Sequence, residues 1–123
     1  MARQNYNNDG RECVAAFKVI YLRPVKIILL GTGTSQGVPV IGCECPVCSS
    51  TDPLDKRLRS AALLIDGRTN VLIDAGPDFR QQMLLHRVKH LDAILLTHEH
   101  NDHVIGLDDI RPFNHRSGEA MAV

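Results

Sequence analysis

The stretch that most constrains this chain is "AILLTHEHNDH", Ala93 to His103, an aliphatic run that leads straight into three histidines and two acidic side chains. A short apolar run of this kind reads as a buried strand, so the polar cluster belongs at a strand's end. In a helix, residues two apart point to different sides, and His98 and His100 could not share an ion. In an extended segment, residues 98, 100 and 102 share one side, and a turn beginning at Asp102 brings His103 round to join them. Neutral imidazoles with one carboxylate make a donor set that suits zinc, manganese or iron better than magnesium or calcium. Four ligands so close together can also serve two ions. The zinc-protease pattern H-E-x-x-H fails because its second histidine position holds Asp102, so Glu99 is not assigned as a general base. The competing reading, a solvated loop that happens to be rich in histidine, does not account for the strand feeding into it.

A length of 123 residues predicts one domain. An apolar fraction of 44% and a charged fraction of 23% are those of a folded globular chain rather than a disordered or fibrous one. Fourteen basic residues balance fourteen acidic ones, so no broad cationic field is available for nucleic acid or anionic lipid. The apolar run Val14 to Leu22 is too short to span a bilayer and contains Lys18. Asp9 and Glu12 stand where a signal peptide wants basic residues, which leads to the expectation of a cytoplasmic protein without membrane contact. In that setting the four cysteines are expected to be thiols or metal ligands rather than a disulfide framework.

Residues 1–24 read as a polar leader of unclear role with a short apolar segment. A first strand is predicted over Val25 to Leu30, stopped by the glycines of "GTGTSQG". Residues 43–55, rich in Cys, Pro, Ser and Asp, are expected to be irregular. "SAALLIDG" and "TNVLIDAG" predict a β-hairpin turning near Asp66-Gly67. "PDFRQQMLLHRVKHL" predicts a helix capped by Asp78, with Phe79, Met83, Leu84 and Val88 at helical spacing. Asp92 to Thr97 is the next strand, "VIGLDDIRPF" begins a helix that Pro112 ends, and "GEAMAV" reads as the opening of a further strand.

Cys43, Cys45 and Cys48 form C-x-C-x-x-C in a segment with few packing residues, a pattern that predicts a structural metal. Three ligands are visible where a closed site uses four, and Cys13, thirty positions upstream of Cys43, is a weak candidate for the fourth. "GTGTSQG" is not a nucleotide-binding fingerprint, since G-x-G-x-x-G finds Gln36 at its third glycine and no lysine follows Gly37. Its glycines are better explained by a backbone turn packed near the site. Lys56, Arg57 and Arg59 offer phosphate contacts, against the alternative of a solvated charge run.

With these pieces in hand the chain resembles the metallo-β-lactamase superfamily of metal-dependent hydrolases. The resemblance rests on T-H-x-H-x-D-H at residues 97–103, "GTGTSQGVP" after the first strand and "LIDAG" at the end of a later one. "GTGTSQGVPVIGCECPVC" is similar to the branch containing the cyclic-phosphate phosphodiesterase of phosphonate breakdown, phosphoribosyl cyclic phosphate phosphodiesterase. The resemblance implies an α/β fold, the N-terminal half of a four-layer αββα sandwich. It implies two divalent ions, one on His98 and His100 and one on Asp102 and His103, sharing a hydroxide that Asp102 also orients. Zinc is the first expectation, with manganese or iron as alternatives. Asp74 of "LIDAG" would lie behind the metal loop as hydrogen-bonding support, the alternative being an ordinary strand-end turn aspartate. The cysteine cluster would hold an additional structural zinc, completed in that branch by a late histidine.

The branch finishes its site with later residues, and the only histidine after the motif, His115, lies too close to it to stand in for them. Residues 25–123 therefore read as the N-terminal part of a truncated domain that could be unstable alone or form a homodimer. The function expected is a metal-dependent phosphodiesterase using a dinuclear-metal-activated hydroxide on small cyclic or nucleotide-like phosphate diesters. The alternatives are an endonuclease like the tRNA-maturing members of the superfamily, which the neutral charge argues against, and an inactive metal-binding fragment.

Overall fold

The computed structural model describes residues 24–123, so the leader reading for residues 1–24 and the candidacy of Cys13 lie, Pro24 aside, outside the described residues. Four aliphatic runs pair into one sheet in the order of the chain: β1 (Lys26–Gly31), β2 (Ala61–Asp66), β3 (Thr69–Ile73) and β4 (Ala93–Leu95). The β2–β3 hairpin closes over Gly67-Arg68, with Asp66 paired to Thr69 and Gly67 at φ 61°. A two-residue loop with positive φ is the turn whose twist matches the strands it joins. β1 runs antiparallel to β2, whereas β4 runs parallel to β3 and is reached through α1 (Phe79–Leu85). After β4 come α2 (Asn101–Val104), a 3-10 stretch over Ile105–Ile110 and α3 (Arg111–Ser117), and Ala122 then bridges to Ala93 in parallel. "GEAMAV" thus meets the sheet beside β4, as a parallel neighbour.

The register divides the sheet into two unlike faces. Ile28, Leu63, Leu72 and Ile94 form one row across the strands, and with Phe79, Met83, Leu91 and Phe113 they make the core beneath the helices. Phe79 and Phe113 meet edge to face, ring centroids 6.1 Å apart, which ties α1 to α3 over the sheet. The opposite face carries Ile27, Leu64, Val71 and Ala93 in one row and Leu29, Ala62, Ile73 and Leu95 in the next. All eight are apolar, and Ile27, Leu29 and Leu95 are more than half exposed. A sheet apolar on both sides is suited to cover on both sides.

Two helical expectations need correction. The run predicted as helix to Leu91 ends at Leu85: Arg87 takes φ 54°, its amide donates to Leu84 O, and the Val88 amide donates back to Met83 O. This is the left-handed helix stop usually made by glycine. With arginine in that place the sequence carries no stop signal, and Val88 packs on the core from beyond the helix. Pro112 does not end a helix but opens one, sitting in the first turn of α3 where its missing N–H costs nothing.

Glycines set the closest approaches. A Cβ on Gly31 or Gly33 would collide with carbonyl oxygens of residues 57–59, so the glycine loop lets β1 and the strand entry of β2 come into backbone contact. A Cβ on Gly106 would collide with the Gly76 carbonyl and the Phe79 side chain. Gly118 has open space around it and φ 76°. Gly106→Ala is therefore expected to destabilise the chain by about 2–3 kcal/mol, against about 1 kcal/mol for Gly118→Ala, in urea unfolding followed by circular dichroism. Equal small effects would mean that the contact at Gly106 is not tight.

Candidate metal centre

The centre of the site is an aspartate. Asp74 follows β3, its amide extends the ladder to Leu95 O at 2.9 Å, and its backbone sits at φ 64°, uncommon for any residue but glycine. Only 6% of it is exposed. One carboxylate oxygen accepts from the Thr97 amide at 2.8 Å, both accept from the Thr97 hydroxyl, and Oδ2 accepts from His103 Nδ1 at 2.8 Å. The backbone repeats the link, with the Ala75 amide donating to His103 O at 2.7 Å and the Gly106 amide to Ala75 O at 2.8 Å. A Cβ on Gly76 would strike the Asp102 carbonyl, so glycine there is what allows "LIDAG" and the histidine loop to touch.

The loop turns one residue earlier than an extended reading of residues 98–102 expects. His100 is still extended, at φ −64° and ψ 144°, but α2 begins at Asn101, and the His103 amide closes onto His100 O at 2.9 Å. Asp102 therefore lies in a helical first turn, where a carboxylate is favoured, and not on the extended face of His98 and His100. The three rings still gather: His98 and His100 centroids are 4.7 Å apart, and those of His98 and His103 4.0 Å. Glu99 is exposed.

The donor set fits a borderline cation. A carboxylate accepts only, so His103 Nδ1 carries the hydrogen it gives to Asp74, and in a neutral ring Nε2 holds a lone pair. Asp102 Oδ2 stands 3.2 Å from that nitrogen. Two lone-pair atoms so close repel unless a proton or a cation lies between them, and nitrogen with carboxylate oxygen is the pairing that zinc, manganese or iron accepts.

Among the described residues, Cys43, Cys45 and Cys48 form the set of three whose ligand atoms all lie within 4.8 Å of one another. The ligand atoms of the histidine loop approach in pairs but do not meet that spacing. The thiols are bound into their loop, with the Val40 amide donating to Cys48 Sγ and the Cys48 amide to Cys45 Sγ, each at 3.4 Å. The Cys48 amide, with the Cys43 and Cys48 side chains, lowers the Cys45 thiol to about 7. Cys48 moves the other way: the Val40 amide draws it down, but Cys43, burial and Cys45 together raise it.

Asp78 occupies the N-cap position of α1 without capping it. Its carboxylate goes to Arg59, accepting from the Arg59 amide at 2.8 Å and the guanidinium at 2.9 Å, while Arg59 Nε donates to Ser35 O. Buried Gln82 adds a bond to Arg59 O at 2.8 Å. Arg59 is thus a brace between the glycine loop and α1, and Lys56 is turned to Ser50 O. Sequence reading gave no site role to Thr97, Gly76 or Gly106. The two glycines carry no local signal, because the backbone they meet is distant in the chain.

Residues 69–123 match the family profile described as a beta-lactamase superfamily domain. Those residues are thus similar to part of a beta-lactamase superfamily domain. It is similar to the crystal structure of a diphosphatase from the PhnP family, with 49% identity and a TM-score of 0.74, over 79% of this chain and 39% of that one. The structure of Zn(2+)-bound PqqB from Methylobacterium extorquens shares 31% identity and a TM-score of 0.62, over 69% of this chain and 36% of the other. Among curated proteins, 58% identity over 88 residues links it to an octanoyltransferase of Porphyromonas gingivalis, across 71% of this chain but 18% of that protein. Coenzyme PQQ synthesis protein B of Methylobacterium nodulans is 36% identical over 101 residues, 71% of this chain and 34% of its own. The chain thus spans between a fifth and two fifths of the relatives it matches. Their mixed α/β fold is shared, and the PqqB neighbour is zinc-bound.

Two predictions concern how this domain segment responds to pH and to thiol reagents. Burial pushes the Asp74 carboxyl upward, but the Thr97 amide, the His103 ring and the Thr97 hydroxyl outweigh it, leaving it below the ordinary aspartate value of 3.8. A carboxyl depressed in the folded state adds stability that is fully present above the unfolded value and is lost as pH falls through the folded one. Asp74→Asn is therefore expected to lower stability at neutral pH and to flatten its decline in acid, measured by urea unfolding from pH 7 to pH 2; an unchanged acid limb would refute this. Near pH 7, iodoacetamide is expected to alkylate Cys45 first of the three thiols, and zinc to protect all three, as read by peptide mass spectrometry.

Proposed function

We propose that this chain contributes the metal-binding half-site of a phosphoryl hydrolase that acts on small cyclic or nucleotide-like phosphate diesters. The observation that carries the reading is the histidine loop tied to Asp74, on a fold 49% identical to a PhnP-family diphosphatase over 79% of the chain. His98 and His100 would hold one ion, and Asp102 and His103 a second. Bound there, divalent ions would supply an acidified water and positive charge opposite a phosphoryl oxygen.

The chain's own residues do the positioning. Asp74 fixes the His103 ring through Nδ1 and leaves Nε2 facing Asp102. Asp102, in the first turn of α2, presents its carboxylate where it can accept a hydrogen from an attacking water. The glycine loop, braced by Arg59 against Asp78, brings Thr34 and Ser35 into one rigid turn with the strand entry of β2. A phosphate diester and a diphosphate both react by attack of water at phosphorus, so the diphosphatase resemblance and the diester reading share this chemistry. Cys43, Cys45 and Cys48 would hold a separate structural zinc, suited to closed thiolate coordination.

The test is elemental analysis of the purified chain without added metal, followed by assays on a 2′,3′-cyclic nucleotide and on a diphosphate ester. Metal in stoichiometric amount, reduced in His98→Ala and His100→Ala, with whatever hydrolysis of the cyclic diester the half-site supports lost in the same variants, is the expected result. Metal retained in both variants but lost when the three cysteines are replaced would place it at the thiols alone. That outcome would favour a metal-binding segment without hydrolytic activity.

A further inference from the structure

A hydroxyl carries one hydrogen, and the surroundings of Thr97 decide where it goes. Thr97 Oγ1 lies 3.0 and 2.9 Å from the two Asp74 oxygens and 3.0 Å from His98 Nδ1. The Asp74 carboxylate is ringed by donors, namely the Thr97 amide, the Thr97 hydroxyl and the His103 ring. It can only accept, so the hydroxyl hydrogen points to Asp74. What Oγ1 then offers His98 is a lone pair, which requires a hydrogen on Nδ1.

We infer that Thr97 is a positioning residue that fixes His98 as its Nδ1–H tautomer and leaves the Nε2 lone pair as the ring's ligand atom. Asp74 sets the His103 ring directly and the His98 ring through Thr97, so one buried carboxylate orients two histidines, of which His98 is assigned to one ion and His103 to the other. The logic is that of ligating histidines generally, whose second ring nitrogen is held by a carboxylate, carbonyl or hydroxyl so that the first points correctly. A threonine is needed here because a carboxylate fully engaged at the end of β3 cannot also reach the first histidine. The inference deepens the metal-centre reading and rests on it for its purpose, while the tautomer is a property of the chain without metal.

The experiment is a long-range proton–nitrogen correlation spectrum of the full chain labelled with nitrogen-15 in histidine, metal-free, at a pH where imidazole is neutral. His98 is expected with Nδ1 protonated and Nε2 bare. Thr97→Val, close in shape but without the hydroxyl, is expected to shift His98 toward the Nε2–H form while His103, bonded directly to Asp74, keeps its own. Zinc affinity, titrated in a background with Cys43, Cys45 and Cys48 replaced by serine, should fall about tenfold or more. Thr97→Ser should restore both. A merely structural threonine would not move one ring's tautomer and leave the other. His98 in the Nε2–H form in the unaltered chain, which needs no variant to fold, overturns the inference, as does a tautomer unchanged by Thr97→Val. The expected tautomer with no zinc bound by the serine background would instead defeat the metal-centre reading and leave the role of Thr97 standing.

Discussion

The buried carboxylate of Asp74 is the interaction on which the rest of the structure depends. A charge removed from water must recover its solvation from fixed donors, and the side-chain and amide donors it finds come from Thr97 and His103. Both lie in the segment that follows β4, more than twenty residues further along the chain. The end of β3 and the histidine loop are therefore bonded into one structural unit. The positive φ of Asp74 and the collision that any side chain on Gly76 would cause show the same constraint in the backbone.

This unit lies where the parallel pair β3–β4 ends, the place where an α/β sheet presents its loops together. The helices cover one face of the sheet, α1 tied to α3 by the Phe79–Phe113 contact and the turn after α2 packed through Gly106 against Gly76 and Phe79. The other face keeps eight apolar side chains toward solvent, so the energetics of this domain segment are one-sided. About 25 cal/mol for each Å² of apolar surface removed from water makes that face a strong driving force for contact with a second layer. The matched part of the chain spans 39% of the PhnP-family diphosphatase and 18% of the octanoyltransferase, which leaves both relatives further residues for such a layer.

Two metal-type donor sets coexist, and their chemistry differs. The thiols lie close together in a loop almost without buried side chains, where a shared ion would replace the missing core. The histidine loop is the reverse, supported from behind by Asp74, with His103 Nε2 beside an Asp102 oxygen and the His98 ring beside that of His103. Closed sulfur sites stabilise loops, whereas open nitrogen and oxygen sites leave room for substrate.

Much was legible without coordinates, because it depends on neighbours in the chain. The alternation and turn chemistry around Gly67 dictate the β2–β3 hairpin, the aliphatic run before Thr97 dictates β4, and the spacing of His98, His100, Asp102 and His103 gathers them in one loop. What the sequence could not show depends on contacts between distant segments. The helix stop at Arg87 is made by a residue whose left-handed conformation nothing local announces. Asp78 could serve as an N-cap or a partner for Arg59, and only the approach of residue 59 to α1 chose the second. Asp102 is helical rather than extended because Ala75 holds the loop from outside it, its amide donating to His103 O and its carbonyl accepting from the Gly106 amide. Local patterning by itself determined which residues form strands and which donors cluster. Tertiary packing alone decided which hydrogen each donor gives and to whom, because a hydrogen bond is settled by the partner that arrives in space.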